Sequence, residues 1–236
     1  MTEIAIAYDV PALDDALELD RRLGEGPEIA KIGLELFTAA GPAAVRALVD
    51  RGRRVFLDLK LHDIPNTVRG AARSAARLGA ELLTVHALGG RTMIAAAVEG
   101  AREGGGTRIV AVTVLTSLDA SNLPPGFERP FFPQITAARM LTIAESAGAF
   151  GIVCAATDIP DLRVLVRHPF YAVTPGIRPH GVPTHDQARV ATIAEAVRMG
   201  SSLLVLGRAL TGASDPRAAL DLARAERDQA VAAIAG

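Results

Sequence analysis

The strongest constraint on the fold is a strict alternation of two kinds of segment, repeated eight times along the 236 residues. One kind is a short run of apolar and β-branched residues, which predicts a buried strand, and the other is a longer Ala/Leu/Arg segment of helical period. The predicted strands cover residues 4–9, 29–33, 54–60, 81–86, 108–114, 150–154, 170–174 and 203–207. The predicted helices cover residues 12–23, 41–51, 66–78, 90–103, 134–147, 159–166, 188–199 and 214–234.

Eight strand–helix units in a chain of this length predict an α/β fold, a single (β/α)8 TIM barrel whose one domain covers residues 1–236. The alternative is an open doubly wound sheet, which often carries a GxGxxG loop after its first strand. No such loop follows the first predicted strand here, and the glycine triplet 104–106 follows a predicted helix instead. The sequence therefore favours the closed barrel.

Composition and charge argue against several classes of partner. The formal net charge is −1 and charges of both signs are scattered, so no basic tail or stripe indicates nucleic-acid binding. No run of 18 apolar residues predicts a membrane span. One cysteine, Cys154, excludes an internal disulfide framework, and the first residues lack the pattern of a signal peptide. We therefore expect a cytoplasmic protein.

Lysine is rare in this chain, and its two positions are informative. The sequence holds 25 lysine and arginine residues, of which only Lys31 and Lys60 are lysines. An arginine-rich composition commonly reflects genomic base composition. However, an amine can donate a proton and act as an acid, whereas a guanidinium in practice cannot. Both lysines end apolar strand-like runs, so both are candidates for chemistry.

Charged and polar residues cluster at the carboxyl ends of the predicted strands, where barrel enzymes carry their active sites. Asp58 and Lys60 end strand 3 and, two residues apart, point to the same side of a strand. A buried salt-bridge network is the structural alternative, but charges at a barrel mouth are costly unless paired or functional. The other strand-end candidates are Asp9, Lys31, His86, Thr116, Ser117, Thr174 and Arg208.

The carboxyl end of strand 8 predicts a phosphate site. A glycine turn, Gly207, leads from this strand towards the next helix, which is the usual phosphate pocket of such barrels. Arg208 follows directly and can bind a phosphate in bidentate fashion. The loop from about 175 to 187 is long enough to act as a lid, and Gln187 at its far end can donate to phosphate oxygens.

The segment VFLDLKLHDIPNTV, residues 55–68, closely resembles the D-x-K-x-x-D-I-P-N-T signature of the orotidine 5′-phosphate decarboxylases. Supporting matches cover nearly the whole chain in the same order: IAYD at 6–9, AKIGLELF at 30–37, TVHALGG at 84–90, VTVLTS at 112–117, VTPGIRP at 173–179, DQARV at 186–190 and VLGRALT at 205–211. The resemblance implies decarboxylation of orotidine 5′-monophosphate to uridine 5′-monophosphate and CO2. This reaction is the final step of de novo pyrimidine nucleotide synthesis. The resemblance implies no metal and no organic cofactor.

The resemblance also implies roles for residues within one subunit. Lys60 would protonate C6 of the pyrimidine as CO2 leaves, with Asp58 against the substrate carboxylate. Lys31 would belong to the same catalytic set and, with Asp9, would contact the ribose hydroxyls. Thr116, or Ser117 beside it, would hold the base. The phosphate ligands would be Arg178, Gln187, Gly207 and Arg208.

A homodimer is implied by the same motif, because Asp63, Ile64 and Thr67 would enter the neighbouring subunit's active site. Three positions depart from the common pattern: Leu61 stands for Phe, and Ile193 and Ala209 each stand for Pro. None of the three is a polar group that contacts substrate, so we interpret them as packing variation.

Three alternatives remain open on the sequence. A sugar-phosphate lyase or decarboxylase on a related barrel carries a similar motif but resembles a metal enzyme, with a carboxylate near the place of Lys31. A sugar-phosphate epimerase would use His62 and His86 as metal ligands. A non-catalytic barrel that binds phosphorylated metabolites explains Arg208 and gives no reason for Lys60 among carboxylates.

Overall fold

In the computed structural model, which describes residues 2–26, 28–118, 123, 130–178 and 190–235, eight parallel strands form a closed barrel in chain order. The barrel predicted from the sequence is confirmed. The strands are β1 (Glu3–Ala7), β2 (Ile29–Ile32), β3 (Arg54–Leu61), β4 (Leu82–His86), β5 (Arg108–Val112), β6 (Gly151–Val153), β7 (Tyr171–Ile177) and β8 (Leu203–Leu206).

Helices connect successive strands and cover the outside of the barrel. They are α1 (Leu13–Leu23), α2 (Leu34–Ala40), α3 (Pro42–Val49), α4 (Pro65–Arg77), α5 (Gly90–Gly104), α6 (Pro133–Ser146), α7 (Ile159–Val166), α8 (Ile193–Met199), α9 (Arg208–Thr211) and α10 (Pro216–Ala235). Short 3-10 turns at Ala87–Gly89 and Ala156–Asp158 precede α5 and α7. Among the described helices, none is long and apolar enough to cross a membrane.

Two apolar layers follow from the alternation of side chains along each strand. The larger core lies between the strands and the helices. The smaller one fills the inside of the barrel and includes Ala5, Ala7, Ile29 and the fully buried Phe56. Because Ala7 pairs with Lys31 and Lys31 pairs with Phe56, these three positions lie at one level of the barrel. Asp9, two residues after Ala7 and just past the end of β1, and Asp58, two residues after Phe56 in β3, therefore lie above this apolar layer.

The structure corrects several predicted boundaries. The predicted helix 41–51 is only α3, and a separate helix α2 precedes it, because Gly41 and Pro42 break the helical segment and restart it. The predicted helix 188–199 begins at Ile193, where the side chain of Thr192 accepts a hydrogen bond from the Glu195 N–H; residues 188 and 189 lie outside the described residues. Strand β7 extends beyond 174 to Ile177, and α9 was not predicted.

Two strand pairs lose their regular register near their carboxyl ends. The β3–β4 register shifts between Leu57 and Leu61, and the β7–β8 register shifts between Thr174 and Ile177. Such irregularities redirect side chains and occur next to active sites. Here both lie at the carboxyl-end face, where the charged candidates cluster.

Candidate active site

A cavity of about 310 Å³ opens at the carboxyl ends of the strands. Its floor is apolar and consists of side chains from the inside of the barrel: Phe56, Val112, Val153, Val173 and Val205. The charged and polar candidates lie above this floor. A small number of convergent polar groups over an apolar floor is typical of a small-molecule site.

Four charged side chains of alternating sign form a row along one wall of the cavity. Lys31 Nζ lies 2.9 Å from Asp9 Oδ1 and 3.9 Å from Asp58 Oδ2. Lys60 Nζ donates to both oxygens of Asp58, at 2.9 and 2.8 Å. We refer to Asp9, Lys31, Asp58 and Lys60 as the charge row. The structure thus brings together four of the predicted site residues.

Burial within the charge row is uneven. The side chains of Lys31 and Asp58 are 9% and 14% exposed, whereas those of Lys60 and Asp9 are 33% and 47% exposed. A buried ammonium is tolerated only with a carboxylate partner, and Lys31 has Asp9 within hydrogen-bond distance. Lys60 is the more accessible of the two lysines, so its ammonium can meet a ligand in the cavity.

The absence of a side chain at Gly33 allows Asp9 and Lys31 to form their ion pair. A Cβ placed on Gly33 would lie 2.7 Å from Asp9 Oδ1 and 3.0 Å from Lys31 Nζ. Any side chain at this position would therefore compete with the ion pair for space. The sequence offered no signal for this requirement, because it depends on how β1 and β2 lie beside each other.

Lys60 has an unusual backbone. Its φ of 49° lies in the left-handed region, which costs a non-glycine residue about 1–2 kcal/mol. The strand predicted at 54–60 is confirmed as β3, but its backbone leaves the extended conformation at Lys60. Asp58 and Lys60 both line the cavity. The Lys60 N–H donates to Thr84 Oγ1 at 2.8 Å, and Thr84 Oγ1 donates to Asp58 Oδ1 at 2.9 Å. Thr84 is a site residue that sequence reasoning missed.

Three of the predicted phosphate ligands lie at the ends of β7 and β8. Gly207, Arg208 and Arg178 all line the cavity. Gly207 directly precedes α9, so the turn after β8 leads into this short helix and not into α10 as predicted. The backbone of Arg178 is fixed by its N–H donating to the Ala191 carbonyl at 2.9 Å. Gln187 lies outside the described residues.

Thr116 and Ser117 both line the cavity after β5. Cys154 lines it too and is buried, with 1% exposure. Both hydroxyl residues remain candidates for the base contact.

Asp63, Ile64 and Thr67 are not among the residues described around the cavity. All three residues are exposed, and the exposed fraction of Ile64 is 67%. Asp63 Oδ1 accepts a hydrogen bond from the Ile64 N–H at 2.6 Å, which fixes the turn before α4. Within one chain, this part of the motif faces outward.

His62 and His86 stack on each other, with ring centroids 5.6 Å apart. Burial, followed by the charges of His62 and Lys60, lowers the pKa of His86. His86 Nδ1 accepts a hydrogen bond from the Leu88 N–H, so one ring nitrogen is engaged. In the part of the chain that the structure describes, no group of three His, Cys, Asp or Glu residues has the arrangement of a metal site.

Comparison with known proteins gives consistent results. A family model described as "Orotidine 5'-phosphate decarboxylase / HUMPS family" matches residues 2–223. The orotidine 5′-phosphate decarboxylase of Anaeromyxobacter sp. (strain K) is 53% identical over 217 residues, which cover 92% of this chain and 94% of that protein. That of Moorella thermoacetica is 48% identical over 232 residues, covering 95% and 91%. The crystal structure of orotidine 5′-phosphate decarboxylase from Lactobacillus acidophilus matches with a TM-score of 0.85 at 34% identity, covering 97% of this chain and 100% of that one.

Proposed function

Because the chain belongs to the orotidine 5′-phosphate decarboxylase / HUMPS family, we propose that it converts orotidine 5′-monophosphate to uridine 5′-monophosphate and CO2. The resemblance inferred from residues 55–68 is confirmed at the level of the family. The observation that carries the proposal within this family is the Asp58–Lys60 pair, a partly exposed ammonium held by a carboxylate at the cavity wall.

The chemistry requires a fixed positive charge. When the bond from C6 to the carboxylate breaks, its electron pair stays on C6 in the ring plane, where the ring π-system cannot delocalise it. A preorganised ammonium stabilises such a charge and can deliver the proton that C6 needs. We assign this role to Lys60, which then regains a proton from solvent.

Asp58 would lie beside the substrate carboxylate and repel it. Two unit charges about 4 Å apart interact by about 4 kcal/mol at an effective dielectric constant of 20. The repulsion disappears as neutral CO2 forms. Because Asp58 also accepts two hydrogen bonds from Lys60, it keeps the ammonium directed into the cavity.

Substrate binding would use residues at the ends of several strands around the cavity. Asp9 and Lys31 can hold the ribose hydroxyls, and Thr116 or Ser117 can hold the base. The cationic side chains of Arg178 and Arg208, together with Gly207, suit the phosphate, and Gln187 joins this group in the proposal. A remote phosphate can use its binding energy to organise the reacting end.

We also propose that the enzyme is a cytoplasmic homodimer in which each active site contains residues of both subunits. In this proposal its substrate is a small molecule, and the reaction uses no metal or organic cofactor. The support is the exposed stretch after β3: Ile64 is an apolar residue that is 67% exposed, beside exposed Asp63 and Thr67. These three residues belong to the motif at 55–68, and their exposure leaves them accessible to a second subunit. In this arrangement Asp63 completes the charge row of the partner.

The first test is turnover by the purified chain, followed as the loss of orotidine monophosphate absorbance with and without a chelator. Lys60→Ala should reduce turnover below detection while the variant stays folded. The control is Arg198→Ala, which removes an exposed basic side chain from α8 and should retain parental turnover. Near-normal activity of Lys60→Ala contradicts the proposed role, and turnover that requires the metal favours a metal-dependent relative.

The second test addresses the shared site. Lys60→Ala and Asp63→Ala chains, each inactive alone, are mixed and allowed to exchange subunits. One of the two sites in each heterodimer then has both residues intact, so random exchange should restore roughly a quarter of the parental activity. Absence of any recovery, when labelled subunits demonstrably exchange, contradicts a site built from two chains.

A further inference from the structure

Thr84 lies inside β4 and is fully buried, with 0% exposure. Its hydroxyl bridges the two residues on which the proposed chemistry depends. It donates to Asp58 Oδ1 at 2.9 Å and accepts from the Lys60 N–H at 2.8 Å. One side chain on a neighbouring strand therefore holds the carboxylate of one residue and the backbone of the other.

The direction of both hydrogen bonds is fixed by the partners. The Lys60 amide can only donate, and an ionised Asp58 carboxylate can only accept. The hydroxyl has one proton, so it gives this proton to Asp58 and offers a lone pair to Lys60. An aliphatic side chain such as valine can replace neither bond.

The backbone explains why this bridge is needed. Between Leu57 and Leu61, β3 departs from its regular pairing with β4, and Lys60 has a φ of 49°. A buried backbone N–H that has no carbonyl partner on the neighbouring strand needs another acceptor. Thr84 Oγ1 takes the place of the missing strand carbonyl, and it thereby stabilises the conformation that directs Lys60 into the cavity.

We propose that Thr84 is a positioning residue for the decarboxylation proposed above, setting the place of the Lys60 ammonium relative to Asp58. Thr84 is not among the residues described around the cavity, and neither is any other residue of β4. Its effect would therefore act through Asp58 and Lys60 and not through contact with substrate. The β-branched side chain is stiff about its first torsion, so the hydroxyl oxygen is held in place.

The decisive comparison is Thr84→Val against Thr84→Ser. Valine preserves the branched shape and removes both hydrogen bonds, whereas serine keeps the hydroxyl and removes only a methyl group. We expect kcat of Thr84→Val to fall about 10- to 100-fold, as for a displacement of about 1 Å at a reacting group, with KM changed less than about threefold. Thr84→Ser should keep kcat within about fivefold of the parent, because the bridge is retained.

Thr107→Val is the matched control. Thr107 is another buried threonine, 8% exposed, and its hydroxyl donates to the Ala80 carbonyl at the opposite end of the barrel. This variant loses a buried hydrogen bond without touching the charge row, so its stability should fall while its kcat remains parental. A kcat of Thr84→Val within about twofold of the parent, or an equal fall in kcat for the serine and valine variants, overturns the proposal.

A crystal structure of the valine variant tests the positioning role of Thr84 independently of the proposed substrate. In a crystal structure of Thr84→Val, the Lys60 φ should leave the left-handed region or the Lys60 Nζ to Asp58 contact should lengthen beyond hydrogen-bond distance. An unchanged charge row overturns the positioning role even if the parent proves to act on another substrate. If the valine variant does not purify as a folded protein, Thr84→Cys replaces it, since a thiol has similar size and is only a weak donor.

Discussion

Gly100 in α5 allows this helix to lie directly against α4. A Cβ at Gly100 would lie 2.1 Å from the Arg69 carbonyl oxygen and 2.9 Å from the Arg69 carbonyl carbon. Because the obstacle is the main chain of another helix, it cannot rotate away. Gly100→Ala must therefore move α4, the helix that begins next to Asp63 and Ile64.

The size of the effect follows from two opposing contributions. Ordinary van der Waals contact begins near 3.4 Å, so α4 must move by about 1 Å, and overpacking of this kind costs about 1–3 kcal/mol or more. The higher helix propensity of alanine offsets about 1 kcal/mol of this cost in the free energy of unfolding. With a backbone obstacle we expect the upper end of the cost, a net loss of about 2 kcal/mol, which lowers Tm by about 4–8 °C in a protein of this size.

Thermal unfolding followed by circular dichroism measures this change, with the oligomeric state of both proteins checked at the same concentration. Gly70→Ala in α4 is the matched control, because a Cβ placed on Gly70 would have nothing within 4 Å. It should gain about 0.5–1 kcal/mol from helix propensity alone. A Tm of Gly100→Ala equal to or above that of the parent would refute the close-approach argument.

Three further predictions concern other parts of the molecule. Arg208→Ala removes a charge-assisted contact worth about 1.5–3 kcal/mol, so KM for orotidine monophosphate should rise about 10- to 100-fold, and an unchanged KM refutes its phosphate role. Gly33→Ala should displace Asp9 and lower kcat/KM about tenfold in steady-state assays, and parental kinetics would contradict this. The hydrogen bond from Arg54, followed by nearby positive charge, lowers the pKa of Glu81. Its contribution to stability is thus complete above the unfolded pKa of about 4.3 and is lost as the pH falls through the folded pKa. Urea unfolding should therefore show Glu81→Gln less stable than the parent at pH 7, with a smaller difference at pH 3; equal differences contradict the assignment.

The barrel could be predicted from the sequence because each strand is a local run of apolar residues and each long helix has its own period. What the sequence could not reveal depends on contacts between strands. The left-handed conformation of Lys60 arises where β3 leaves the β4 ladder, and nothing in the segment from Asp58 to Lys60 signals it. Thr84 was missed for the same reason, since a threonine inside a strand usually indicates only β propensity.

The sequence pattern also could not predict the short helices or the residues that face outward. Helices α2 and α9 have seven and four residues, too few for a helical period to be recognised. Asp63 belongs to the most specific motif in the chain, yet it is exposed and not described among the cavity residues. In the proposed homodimer Asp63 would enter the neighbouring subunit's site, a placement that the sequence pattern of one chain does not give.

The charge row is a direct extension of the barrel interior. Ala7 and Phe56 belong to the apolar layer. Asp58 lies two residues beyond Phe56 on the same side of β3, and Asp9 lies two residues beyond Ala7, just past the end of β1. Lys31 pairs in register with both Ala7 and Phe56, so its ammonium rises between the two carboxylates. The alternation of charge therefore follows from strand register, and the apolar floor below it strengthens the interactions by excluding water. Lys60, held by Asp58 and Thr84, is the more accessible of the two ammonium groups in the row and can therefore meet a substrate.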